Sequence, residues 1–228
     1  TNNKVLNEQN VHIWDGNGSR EYLDSRGLTH LKENDLGPIY GHQWRHYNAP
    51  YSKEYGCLEK YDGKGVDQLQ NIIDGLSNPE TRTSRRHIMS AWNPEQINEM
   101  SLPPCHVLSQ YKVNDKDELT CILYQRSADV GLGLPFNALS YSFLTHLLAH
   151  HCGLKAKEFV HFIGDAHIYE EHVEVLKEQV ENGNSIYLPL FPTLQIHNKY
   201  ENINDYTMDD FELIDYEYLD EYKMEMRV

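Results

Sequence analysis

The stretch Ala138 to His151, ALSYSFLTHLLAHH, constrains the fold more than any other part of the sequence. It is apolar on nearly every side at helical length, so it predicts a buried helix ending at Gly153, with the core built around it. The surrounding sequence supplies both kinds of element. Arg86 to Trp92 alternates like a strand, and Val107 to Val113 and Leu119 to Arg126 read as two strands joined by the polar turn Asn114 to Glu118, a hairpin. Glu158 to Gly164 predicts another strand, and Glu170 to Glu181 a helix with Val173, Leu176 and Val180 on one face. Ile186 to Ile196 reads as extended chain broken by Pro189 and Pro192. Strands and helices mix without strict βαβ alternation, so the expected class is α+β, a large mixed sheet packed on helices around that central helix.

The chain has 228 residues, and no linker or repeat divides it, so one domain spanning 1–228 is expected. Lys and Arg number 20 against 35 Asp and Glu, a formal charge of -15 that opposes a nucleic-acid backbone as the main partner. A small anion is still allowed, because two or three local arginines decide its binding. No apolar run approaches the roughly 18 residues of a membrane span. The four cysteines, Cys57, Cys105, Cys121 and Cys152, form no CxxC pair and follow no signal peptide, which fits a reducing, cytoplasmic setting. The opening TNNKVLNEQN reads as a polar lead-in that begins mid-protein.

Cys105 stands in LPPCH just before the hairpin. Two prolines stiffen the approach, and if the hairpin pairs Cys105 with Arg126 at its open end, the guanidinium favours thiolate. Alone, such a cysteine is more often a small buried hydrophobe, and Cys57, Cys121 and Cys152 are assigned to that role. The run QRSADVGLGLPFN, 125 to 137, carries a strand end through two glycines into the helix, a turn that exposes backbone N–H groups beside an arginine. Asn137 fits a helix N-cap; its amide also carries the donor and acceptor that match the N3–H and O4 edge of uracil. His167 and Tyr169, two residues apart, share a face if the backbone is extended, and fit either a sugar hydroxyl or ordinary core packing. Arg85 and Arg86 form the densest basic cluster, a phosphate site or a solvated turn. Among the 13 histidines, His146, His150 and His151 invite a zinc reading, but HExxH is absent and no acidic third ligand is suitably spaced, so no metal is expected.

In order, VHIWDGNGSREYLDSRG (11 to 27), DLGPIYGHQWRHY (35 to 47), GVDQLQNII (65 to 73), SRRHIMSAWNP (84 to 94), LPPCH (102 to 106), YQRSADVGLGLPFN (124 to 137) and GDAHIYEEHVE (164 to 174) resemble thymidylate synthase over nearly the whole chain. The closing KMEMRV is similar to the family's tail, which folds over bound ligands. The resemblance implies reductive methylation of dUMP to dTMP, with 5,10-methylenetetrahydrofolate as carbon and hydride donor and no metal. It implies that Cys105 adds to C6 of the pyrimidine, with Tyr40, His106 and Arg126 also catalytic. Arg85, Arg86, Gln125, Arg126, Ser127, Asn137, His167 and Tyr169 match dUMP-binding positions, with Arg85 and Arg86 reaching the partner's site in a homodimer. Ile13, Trp14, Asn17, Asp129, Leu132, Gly133, Phe136 and Val228 match folate-binding positions.

The chain departs from the family pattern in two ways. An upstream phosphate-loop arginine and a proton-organising glutamate have no counterpart here, so a missing N-terminal segment is expected, with room for a preceding dihydrofolate reductase domain as in bifunctional members. As an isolated piece it should turn over poorly. The tail also lacks the usual His-Pro before KMEM. The rival readings are a hydroxymethylase of dUMP or dCMP on the same scaffold, and a catalytically incomplete binding or dimerisation fragment.

Overall fold

The computed structural model describes residues 2–51, 61, 63–185, 191–218 and 221–227. Cys57 and Val228 lie outside them, as does part of the predicted extended run after Ile186. Four short helices come first: α1 (Lys4–Asn7), α2 (Asp15–Gly18), α3 (Arg20–Ser25) and α4 (Gly41–His46). Helix α5 (Gln68–Ser77) is capped by Asp67, whose carboxylate accepts the Gln70 N–H, and it buries Leu69, Ile72, Ile73 and Leu76 along one stripe.

The central sheet holds β1 (Ile88–Ser90), β2 (His106–Val113), β3 (Glu118–Asp129) and β4 (Lys155–His167), in that order. Strands β1, β2 and β3 run antiparallel, while β3 and β4 are parallel. The predicted hairpin forms, and Asn114 Oδ1 closes its turn by accepting the Lys116 and Glu118 N–H groups, with Asp117 at φ 57°. The sheet is mixed, as expected for α+β, but one βαβ unit sits inside it, because α6 (Gly133–Cys152) carries the chain from β3 to parallel β4.

Helix α6 corrects two expectations. It begins at Gly133, five residues before the apolar run, because the Asp129 carboxylate accepts the N–H groups of Gly131 and Gly133 and so serves the first turn from upstream. It is also not buried all round. Tyr141, Thr145, Leu148, Ala149 and Cys152 are covered, but Leu139 is 62% exposed, and Phe136 and His146 face outward. Gly153, at φ 71°, ends it as predicted, with Leu154 N–H returning to the Ala149 carbonyl.

The alternation of β3 sorts the sheet into two faces. Leu119, Cys121 and Leu123 point inward with Met89, Tyr111 and Val113 and pack on α5 and α6 in one core. On the opposite face, register aligns Ser90, Leu108, Tyr124 and Phe162 in one row and Ile88, Gln110, Ile122 and Val160 in the next. Strand lengths depart from the sequence reading: β1 keeps only three of the predicted seven residues, while β4 runs to His167 because parallel pairing with β3 continues to Asp129. The predicted helix from Glu170 splits into a 3-10 turn, Glu170–His172, and α7 (Val173–Ser185). A second, two-stranded sheet, β5 (Thr193–Ile196) with β6 (Phe211–Ile214), docks on α6 through Phe143 and Phe211, whose rings lie 4.8 Å apart.

Candidate active site

Because β2 and β3 are antiparallel, the start of one meets the far half of the other. His106 pairs with Gln125, and the Arg126 N–H donates to the Cys105 carbonyl at 2.9 Å. The side chains then converge. Arg126 Nε donates to the Pro104 carbonyl and Nη2 to the Pro103 carbonyl, at 2.9 and 2.8 Å, and Nη2 stands 3.8 Å from Cys105 Sγ. The guanidinium also lies over the Trp92 ring, 5.8 Å from its centroid. The proline pair thus serves less as a stiffener than as a pair of carbonyl anchors for the arginine.

Arg126 favours thiolate, in line with the sequence reading, but burial outweighs it. Burial pushes the Cys105 thiol above its ordinary range, and the opposing pull of Arg126 and then Tyr40 does not overcome it. Tyr40 adopts φ 22°, ψ -87° at the start of α4, a region that costs a non-glycine residue strain. In that conformation its hydroxyl accepts the Cys105 N–H at 2.9 Å, and its ring stacks on His106 at 4.2 Å.

A backbone carbonyl fixes the polarity of the remaining polar groups. Gln125, fully buried, donates Nε2 to the Ser127 carbonyl at 2.8 Å, and that oxygen can only accept. The same nitrogen donates to Asn137 Oδ1 at 2.8 Å, so Nδ2 of Asn137 faces His106 Nε2 at 3.1 Å. His106 therefore carries its proton on Nδ1, which donates to the Tyr141 hydroxyl at 3.2 Å. On the other side, His161 Nε2 donates to Gln125 Oε1 at 2.9 Å. Burial, with a smaller push from His161, lowers the His106 pKa to about 4, so the ring is neutral near pH 7. Asn137 is thus not an N-cap: it is the fifth residue of α6, in the second turn, with one N–H and one lone pair uncommitted.

His167 ends β4 and Tyr169 follows in extended conformation, their ring centroids 5.3 Å apart. His167 Nδ1 is 2.9 Å from Asp165 Oδ1. Ser127 stands between Gln125 and Asp129 at the end of β3. The Trp14 and Tyr40 ring centroids lie 6.0 Å apart; Trp14, with Ile13, is half-buried, whereas Asn17 is buried in α2. Leu132 and Gly133 open α6, and Phe136, beside Asn137, is 44% exposed. Exposed Arg85 and Arg86 line an open cavity of about 430 Å³ with Glu80, Thr81, Thr83 and Ser84. The Arg85 carbonyl accepts from Gln110, so it lies level with β2 five residues beyond Cys105, on the order of 17 Å at strand rise. The two arginines are not in their own chain's cysteine site.

Three participants escape the sequence reading: Trp92, Tyr141 and His161. Tyr141 lies one helical turn past Asn137, a spacing that would have flagged it had α6 been started at Gly133. His161 reaches Gln125 only through the parallel register, which sequence does not display. Of the histidines suggested by a zinc reading, His150 is engaged by the Asn198 carbonyl, His151 lies beside the Tyr206 ring, and His146 faces outward. Among the described residues, no three His, Cys, Asp or Glu side chains are placed to hold a metal ion.

A mixed sheet that delivers a thiol, an arginine and a polarised amide–imidazole row to the end of its strands defines an α+β protein with a cysteine–arginine site. The whole chain, residues 1–228, matches the family model described as thymidylate synthase, and the protein belongs to that family. It is 49% identical to the bifunctional dihydrofolate reductase-thymidylate synthase of Zea mays over 230 residues, all of this chain and 42% of that protein. Identity to the bifunctional protein of Paramecium tetraurelia is 50% over 229 residues, all of this chain and 47% of that one. The thymidylate synthase of Candida albicans is 45% identical over 245 residues and is covered to 76%. The chain therefore spans less than half the length of the bifunctional relatives.

Proposed function

We propose that the protein is a thymidylate synthase that converts dUMP to dTMP, with 5,10-methylenetetrahydrofolate as carbon and hydride donor and Cys105 as nucleophile. The observation that carries this reading is the placement of Cys105 Sγ 3.8 Å from Arg126, beside a row in which Asn137 is locked by Gln125 and His106. In this reading Arg126 lowers the cost of forming thiolate and, with Ser127, holds the nucleotide phosphate. Sulfur adds to C6 of the pyrimidine, and the charge that develops at O4 meets the remaining Asn137 N–H, while the free lone pair of its oxygen accepts N3–H. A cytosine ring would need the opposite polarity, which Gln125 and His106 oppose. Neutral His106 and Tyr40 support this amide and the thiol, and His167 with Tyr169 binds the sugar.

The folate supplies the one-carbon unit and the hydride. Its heterocycle fits the half-exposed apolar surface of Ile13, Trp14, Leu132 and Phe136, with Gly133 allowing close approach and Asn17 and Asp129 as polar partners. The active unit in this proposal is a homodimer. The outward sheet face, with Leu108, Tyr124, Ile88 and Phe162 exposed, supports such an interface, and the distance of Arg85 and Arg86 from their own Cys105 fits donation to the partner's phosphate site. A reductase domain elsewhere in the protein is consistent with the names of the bifunctional relatives. Product mass analysis after incubation with both substrates tests the reaction. The expected product is dTMP, absent with Cys105→Ser; a hydroxymethylated nucleotide would overturn the hydride step.

A further inference from the structure

His172 is the most deeply buried histidine near the site, 1% exposed, and nothing in the chemistry above employs it. Its Nε2 lies 2.8 Å from the Glu225 carbonyl, an oxygen that only accepts, so that nitrogen bears a proton. Its Nδ1 is buried without a hydrogen-bond partner and faces Asp129 Oδ1 at 3.8 Å. The ring also meets Tyr169 edge-on at 5.6 Å. One side chain thus touches three things: a group assigned to the folate, a group assigned to the nucleotide, and the backbone of the segment 221–227.

The surroundings are shaped for this contact. A Cβ at Gly131 would stand 2.8 Å from His172 Nδ1 and 3.0 Å from Met224 Sδ, so only glycine lets ring and segment close together. Two further ties hold the same segment to neighbouring elements: Arg227 pairs with Glu171, and Tyr222 Oη accepts from Asn182 at 2.7 Å. Asp129 is committed from the other direction, because its two oxygens accept the Gly131 and Gly133 N–H groups that open α6. With its proton on Nε2, the ring presents a lone pair at Nδ1 to that carboxylate, so the donor contact of His172 is the one to the Glu225 carbonyl.

We propose that His172 is a positioning residue that fastens the segment 221–227 beside the site, with Nε2–H donating to the Glu225 carbonyl. This contact does not rest on the functional reading above. Histidine has two near-isosteres that test it, since glutamine places an amide nitrogen near Nε2 and asparagine, a shorter side chain, places its polar group near Nδ1 instead.

The test is hydrogen exchange of the peptide covering 221–227, read by mass spectrometry, in the protein and in His172→Gln, His172→Asn and His172→Leu. Exchange should quicken at least about fivefold in His172→Asn and His172→Leu and stay within twofold of the parent in His172→Gln. Gly131→Ala should behave like His172→Leu. Unchanged exchange in His172→Leu, or equal exchange in the glutamine and asparagine variants, overturns the Glu225 contact. The exchange comparison needs no ligand, so the Glu225 contact is decided whether or not the protein turns over, and its failure is distinct from failure of the functional reading. Should His172→Leu fail to fold, the glutamine–asparagine pair carries the test.

Discussion

At the scale of single residues, the site sets a buried thiol against one positive charge. Burial raises the Cys105 pKa and Arg126 lowers it, so the fraction of thiolate depends on that guanidinium remaining where Pro103, Pro104 and Trp92 hold it. The rate of Cys105 alkylation by iodoacetamide should therefore rise with pH along a curve displaced above that of an ordinary thiol. Arg126→Gln should displace it further upward and slow alkylation about tenfold near pH 7.5; a curve unmoved by that change would show that the arginine does not act on the sulfur. The row behind the thiol makes a different prediction. In Tyr141→Phe the His106 Nδ1–H loses its acceptor in a buried place, which costs about 1–3 kcal/mol of stability in urea unfolding. A loss below a few tenths of a kcal/mol would argue that Nδ1 has another partner.

At the scale of elements, α6 joins the site to the core. Leu148 is fully buried against the sheet and α5, so Leu148→Ala should cost about 2–5 kcal/mol, seen as a lower unfolding midpoint with unchanged secondary structure. A cost under 1 kcal/mol would mean that α6 is less tightly packed than described. The same helix marks the limit of what sequence could reveal. Its existence, its Gly153 terminus and the hairpin that joins Cys105 to Arg126 follow from local apolar periodicity and turn chemistry. Its start does not, because the groups that satisfy Gly131 and Gly133 come from Asp129, a strand residue. Its outward side does not either, since Phe136 and Leu139 look like core residues in a linear reading yet are open. Ordered motifs gave Cys105, Arg126, Asn137, His167 and Tyr169 as candidates, and register brings Cys105 and Arg126 together. What no spacing encodes is the burial that opposes ionisation of Cys105, the tautomer of His106 and the links through His161 and His172, which depend on burial and on a parallel pairing of distant strands.

At the scale of the whole molecule, two expectations concern stability and assembly. The His106 pKa is near 4 in the folded protein against 6.5 ordinarily, and His42 is lowered similarly by burial. Between those values the unfolded chain binds protons that the folded state refuses. Stability should therefore fall as pH drops from about 6.5 towards about 4, by up to about 1.4 kcal/mol per pH unit for His106. His106→Asn should flatten that slope in urea midpoints measured across the range; an identical slope would remove His106 as its source. In the proposed homodimer, assembly depends on the open apolar sheet face. Phe162, 58% exposed in the row with Leu108 and Tyr124, can be replaced by glutamate without touching the core. Phe162→Glu should weaken self-association at least tenfold in sedimentation while leaving circular dichroism unchanged, and a variant that sediments like the parent would place any dimer contact elsewhere.

The central claim, that Cys105 is the covalent centre of a thymidylate synthase, is tested most directly by intact-mass and peptide analysis after mixing the protein with 5-fluoro-dUMP and methylenetetrahydrofolate. The expected result is a single ternary adduct per chain, mapped to the peptide containing Cys105 and lost in Cys105→Ser. An unmodified chain, or an adduct on any other residue, would contradict the account.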